Sequence, residues 1–144
     1  MFVVAHISDL HFNGTRCNRN RIESTLNYIN ARAAGINALL ITGDVADEGS
    51  PSEYREASLV IDSPLPILIT EGNHDDRTAF NAGILGVESS APINSSRLID
   101  GVLFVVADSS IPDRNDGYLD DETLAWMSAE IAAHGPCLLY TSDA

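Results

Sequence analysis

Five side chains that bind hard or borderline metal ions fall in three short clusters, each closing an apolar run. They are Asp9 and His11 in His-Ile-Ser-Asp-Leu-His (6–11), Asp44 in Thr-Gly-Asp (42–44), and Asn73 and His74 in Gly-Asn-His-Asp (72–75). Carboxylate oxygens, imidazole nitrogens and an amide carbonyl together suit divalent transition metals. Asp9 and His11 are two residues apart, so on an extended segment both reach one ion from the same side. Asp44 follows a glycine that permits a sharp turn, and its two oxygens can bridge two ions. Asn73 offers a neutral oxygen to the second ion and leaves the site able to accept a phosphate. His74, diverging from Asn73, is directed at substrate, to contact a phosphate oxygen or protonate the leaving group. Asp75 is expected to orient an imidazole. Two ions about 3.5–4 Å apart would lower the pKa of a bound water and clamp a phosphate for in-line attack by the resulting hydroxide.

Taken singly, each residue has a plainer reading. Asp9 or Asp44 alone is a turn or cap residue, His11 a structural histidine, and Asn73 after Gly72 a tight turn. Three strand-ending clusters of this composition in one short chain favour the metal site.

The elements that must position these groups can be read from the pattern. Five apolar, β-branched-rich runs predict strands at 2–7, 38–42, 66–70, 102–107 and 137–141. Ile22, Leu26, Ile29 and Ala33 recur at helical spacing ahead of Gly35. Ser50, Pro51 and Glu53 form a capping box that opens a second helix. A third is predicted from Asp120, the expected cap, to Ala133, with Leu124, Met127 and Ile131 facing inward and Leu119 stapled on Leu124. Residues 78–97 read as a loop with at most one helical turn. Alternation of strand and helix argues an α/β architecture with a largely parallel sheet. Open sheets of this kind hold ligands at the carboxyl ends of their strands, where all three clusters fall.

At 144 residues the chain is one domain by length. Its 21 acidic residues face eight basic ones, all arginine, for a net charge of −13. That balance excludes a basic track along a nucleic acid polymer. A phosphate ester substrate would then need bound cations for its attraction. Cys17 and Cys137 match no metal-finger or redox spacing, as expected for a reducing compartment. The start of the chain reads as a strand and not a signal peptide, and no apolar run approaches membrane-spanning length, so the expected location is the cytoplasm, away from membranes.

The segments Ile7-Ser8-Asp9-Leu10-His11, Thr42-Gly43-Asp44 and Gly72-Asn73-His74-Asp75 resemble the calcineurin-like metallophosphoesterase family. Asp47, Gly49, Tyr54, Arg77, Asp108-Ser109, Gly117-Tyr118-Leu119 and Trp126 resemble its cyclic-nucleotide phosphodiesterase and glycerophosphodiesterase branch. The resemblance, over residues 2–134, implies the N-terminal part of a four-layer α/β/β/α sandwich of two mixed sheets flanked by helices. It implies Asp9 and His11 on a first metal, Asp44 bridging, Asn73 on a second and His74 acting on the phosphate. The metals implied are two transition ions, divalent or trivalent: iron, manganese or zinc. The substrate implied is a small phosphodiester, with cyclic nucleotides first.

The family completes its site with three later histidines, two of them in Gly-His-x-His, and none is found here. His6 lies in the first strand, and His134 reads as an exposed helix-end residue. The expectation is a C-terminally truncated family domain over 1–144, whose second metal, held by Asp44 and Asn73 alone, binds weakly or not at all. A missing second sheet would expose an apolar face, so self-association is one expected outcome. The rival readings are a non-catalytic interaction module on the same fold and a phosphomonoesterase or phosphoprotein phosphatase.

Overall fold

A computed structural model describes residues 1–134. The elements run β1 (Val4–Ser8), α1 (Arg16–Asn30), β2 (Ala38–Thr42), α2 (Pro51–Val60), β3 (Ile67–Thr70), α3 (Arg77–Phe80), β4 (Ser95–Ile99), β5 (Val102–Val106) and α4 (Asp121–His134). The first four predicted strands are present, 38–42 with the expected bounds and the others with edges shifted by at most two residues, and the fifth, 137–141, lies outside the described residues.

β1, β2 and β3 form a parallel sheet in that order, with Ser8 level with Thr42 and Thr42 with Thr70. All three strands therefore end at one edge. β2 is the centre, and every one of its five residues is buried. Leu39 and Ile41 pack on one face with Ile22, Leu26 and Ile29 of α1 and Tyr54, Ala57 and Val60 of α2. Ala38 and Leu40 pack on the other face with Leu68, Ile99, Phe104 and Val106. A strand covered on both faces needs a continuous apolar run, which is why Ala-Leu-Leu-Ile-Thr carries no alternation.

Local signals explain the helix starts. Thr15 caps α1 by accepting from Asn18 N–H. Ser50 and Glu53 satisfy each other's backbone donors in the expected box, and Asp120 accepts from Thr123 N–H at 2.7 Å. The inward side of α4 differs from expectation. Leu124 is 46% exposed, and the buried position is Thr123. Thr123 instead faces Asn94, whose Nδ2 donates to its hydroxyl oxygen at 3.4 Å.

Residues 78–97 are more structured than a loop. α3, capped by Asp76 on Ala79 N–H, runs into a π-type turn, Asn81–Leu85. β4 then pairs antiparallel with β5 through a two-residue connection, Asp100-Gly101, with φ of 47° and 82°. Those angles belong to the tight hairpin turn that Asp-Gly favours.

Candidate metal centre

The β1 and β2 exits do not diverge after the strands end. Asp9 N–H donates to Gly43 C=O (3.3 Å), His11 N–H to Asp44 C=O (2.9 Å) and Phe12 N–H to Val45 C=O (2.9 Å), so the two metal-type clusters remain side by side. Asp9, His11 and Asp44 all take left-handed backbone angles, with φ of 56°, 48° and 43°. The expected extended Asp9–Leu10–His11 segment is therefore corrected. The two side chains converge through left-handed residues on either side of Leu10 and not through strand alternation. Asp and His tolerate this region better than most residues, yet it costs about 1–2 kcal/mol each, strain of a kind that collects at functional sites.

One carboxylate oxygen each from Asp9 and Asp44 and one nitrogen of His11 lie within 4.8 Å of one another. A second group, His11, Asp47 and His74, meets the same distance and shares His11. The His11 ring sits between the two, with Nε2 3.7 Å from Asp44 Oδ2 and Nδ1 3.1 Å from Asp47 Oδ1. That Nδ1 atom is buried and makes no well-aligned hydrogen bond. Asp47 thus stands where a carboxylate would orient the His11 ring were Nε2 to take an ion with Asp9 and Asp44. The residues fit a transition metal by donor type, by convergence and by this buried nitrogen awaiting alignment. Asp47 entered the sequence reading only through family resemblance. Its signal was a third acid three residues after Asp44.

Gly72 makes the third strand exit fit against the second. A Cβ there would stand 2.3 Å from Asp44 Oδ1 and 2.4 Å from Asp44 N, so only glycine permits the approach. The close pass lets His74 N–H donate to Asp44 Oδ1 at 3.1 Å. Asn73 and His74 are exposed and line a cavity of about 360 Å³ beside the centre. The His74 ring stands edge-on to His11, centroids 4.8 Å apart, and its Nδ1 meets Asp47 C=O at 2.8 Å. That carbonyl bond raises the His74 pKa, with Asp44, Asp47 and Asp75 adding to the effect and slight burial opposing it. The opposite nitrogen, Nε2, remains for a ligand.

Asp75 does not orient an imidazole, as the sequence suggested. It accepts from Val45 N–H (3.0 Å), Ala46 N–H (2.8 Å), Gly72 N–H (2.8 Å) and the Tyr54 hydroxyl (2.9 Å). It binds the second and third clusters to each other and both to α2. Turned inward to reach four donors, its carboxylate cannot also face a histidine. Burial pushes its pKa up against the pull of those donors.

On the far side of Asn73 lies a buried network that the spacing did not reveal. Arg77 Nε donates to Glu71 Oε1 (2.8 Å), and Nη2 reaches Ser110 C=O (2.8 Å), Ser110 Oγ (3.0 Å) and Asp108 Oδ2 (3.0 Å). Burial first, and a bond to Asp108, push the Glu71 carboxyl up to about 7, against the pull of Ser110 and Arg77. Burial works against ionised Asp108 too, but bonds to Glu71, Ile93 N–H and Ser110 hold its pKa below the usual value. The Glu71 and Asp108 side chains thus share the single guanidinium of Arg77. The Glu71 Oε2 atom is buried without a hydrogen-bond partner.

His6 and His134 stay outside the centre: His6 Nε2 meets Thr42 Oγ1 at 2.7 Å, and exposed His134 meets Glu130 C=O. Cys17 is a free, exposed thiol. Among the described residues no helix is long and apolar enough to cross a membrane.

A family model, calcineurin-like phosphoesterase, matches residues 2–138, and the chain belongs to that family. It is 31% identical over 122 residues to a probable cyclic nucleotide phosphodiesterase of Rhodococcus erythropolis, covering 81% of this chain and 40% of the relative. It is 30% identical over 148 residues to a cAMP/cGMP dual specificity phosphodiesterase of Mycobacterium tuberculosis, covering 94% of this chain and 46% of the relative. A glycerophosphodiester phosphodiesterase of Enterobacter lignolyticus is 30% identical over 151 residues, covering 92% and 52%. The chain thus spans about half the length of the curated relatives it matches.

Proposed function

We propose that this chain carries the N-terminal half of the active site of a metal-dependent phosphodiesterase acting on small phosphodiesters, cyclic nucleotides among them. The observation that carries this reading is the convergence of Asp9, His11 and Asp44 at the ends of parallel strands in strained left-handed conformations, with Asn73 and His74 brought alongside. In this reading the whole domain is the four-layer sandwich of its family, in the cytoplasm, and the substrate is a small molecule and not a polymer or membrane.

Asp9 and His11 would hold one ion, Asp44 both, and Asn73 the second, iron, manganese or zinc being suited to these donors. Bound ions supply an activated water and neutralise phosphate charge. The chain's own residues do the rest. Asp47 steers the His11 ring, and Asp75 keeps the Asp44 and Asn73 loops in register. His74, anchored through Nδ1 and kept protonated to higher pH than usual, presents Nε2 to a phosphate oxygen or the leaving alkoxide.

Hydrolysis of bis(p-nitrophenyl) phosphate with added Mn²⁺ tests the reading. Metal-dependent turnover lost in Asp44→Ala supports it, and turnover that survives Asp44→Ala or needs no metal overturns it. A comparison of cyclic nucleotides with glycerophosphodiesters and phosphomonoesters then ranks substrates.

A further inference from the structure

Glu71 and Arg77 stand at the two ends of the five residues 72–76 that contain Asn73 and His74. Their side chains meet at 2.8 Å, which closes that loop across its base. The same guanidinium then reaches the segment leaving β5, at Ser110 and Asp108. Ser110 Oγ completes the ring by bonding Glu71 Oε1 (2.6 Å) and Asp108 Oδ1 (2.8 Å). Asp108 is tied in turn to Ile93 N–H and, through its own N–H, to Asn94 Oδ1, both at 2.9 Å. The loop is thereby referred to the β4–β5 hairpin, which packs on the central sheet.

We propose that Arg77 is a positioning residue of the metal centre, clamping the Asn73–His74 loop to the β5 exit so that both side chains hold their places before an ion arrives. What the loop positions rests on the function proposed above. The geometry of the clamp does not. Asp75 fixes one side of the loop to the β2 exit, and Arg77 fixes the other side, so Asn73 and His74 project outward between two anchors.

Burial makes the second anchor strong. The Glu71 and Asp108 side chains are 1% and 0% exposed and Arg77 16%, so water competes poorly for these bonds. Only a planar fork spans both partners. A lysine in place of Arg77 has one nitrogen and reaches either Glu71 or Ser110. Arg77 and Ser110 also line the cavity beside Asn73 and His74, so the clamp holds a wall of that cavity as well.

A clamp and a general structural brace differ in where the molecule loosens. The test is amide hydrogen exchange on the metal-free chain, read at Gly72, Asp75, Asp76 and Ser110 and, for reference, at Leu39, Leu40 and Ile41 of β2. Mn²⁺ affinity is then read from paramagnetic broadening around Asp9, Asp44 and Asn73. In Arg77→Met the loop amides should exchange about ten-fold faster or more while those of β2 change less than about two-fold, with Arg77→Lys between. Mn²⁺ affinity should fall about ten-fold or more in Arg77→Met. If Arg77→Met does not fold, Glu71→Gln/Arg77→Gln, which keeps neutral hydrogen-bonding groups, and Arg77→Lys carry the comparison. Unchanged loop exchange, or β2 amides accelerating in proportion, overturns the clamp. A wild-type chain that shows no Mn²⁺ broadening contradicts the metal reading instead, and the exchange result still decides the clamp.

Discussion

Replacing Gly72 with alanine perturbs the point where two of the three clusters touch. The added Cβ would sit 2.3 Å from Asp44 Oδ1, 2.4 Å from Asp44 N and 2.8 Å from Gly43 Cα, whereas real Cβ contacts stay beyond 3.0 Å. Asp44 must retreat by at least about 0.7 Å, and because two of the three opposing atoms are backbone, no rotamer change relieves the clash. Overpacking of this kind costs about 1–3 kcal/mol, and the rigid loop places Gly72→Ala near the upper end. Metal ligands tolerate displacements of only about 0.2 Å, so the same shift should lower divalent-ion affinity about ten-fold or more. Urea denaturation followed by far-ultraviolet circular dichroism measures the first effect, and Mn²⁺ calorimetry the second. Gly35→Ala, whose Cβ would meet nothing, is the control and should change stability by no more than about 0.5 kcal/mol. A Gly72→Ala chain as stable as the control and with unchanged metal affinity would refute the reasoning.

Tyr54→Phe removes a hydroxyl that donates to Asp75 and accepts from Asp76 N–H, both at 2.9 Å, while keeping the ring against Phe80, so it should cost about 2 kcal/mol in urea denaturation; a loss under about 0.5 would discount the Asp75 hub. Asp47→Ala should weaken divalent-ion binding about 10- to 100-fold by releasing the His11 ring, which titration calorimetry reads directly. Glu71, raised from 4.5 to about 7, holds its proton in the fold over a range where the unfolded chain has lost it, so its contribution to stability is greatest below about pH 4.5 and declines toward pH 7; in Glu71→Gln, the difference between unfolding free energies at those two pH values should shrink. Ser50→Ala should cost about 1 kcal/mol through loss of the capping box, checked by the same denaturation curves.

Much of the site could be read in the chain because each metal-type residue immediately follows an apolar run that becomes a parallel strand. Once β1, β2 and β3 lie in register, Asp9, Asp44 and Asn73 are forced to one edge. The details that depend on tertiary packing were not local. Asp75 looks like a partner for a neighbouring histidine, but its four donors come from 45, 46, 54 and 72, and only the folded chain shows that they surround it. Leu124 fits a helical stripe, yet the inward position is Thr123, which meets Asn94 from 29 residues away. β4 escaped notice because Ser-Ser-Arg-Leu-Ile exposes four of its five residues. A signal was present in the Asp100-Gly101 step before β5, a hairpin turn by composition. The Arg77 network joins residues more than thirty positions apart, and no periodicity announces such a contact.

The central claim is that Asp9, His11 and Asp44 form a metal centre. Equilibrium dialysis of the chain against Mn²⁺, followed by elemental analysis, tests it directly. At least one ion should be retained per chain in the wild type and lost in Asp44→Ala with the fold intact by circular dichroism. A wild-type chain that retains no ion, or an Asp44→Ala chain that retains as much, would contradict it.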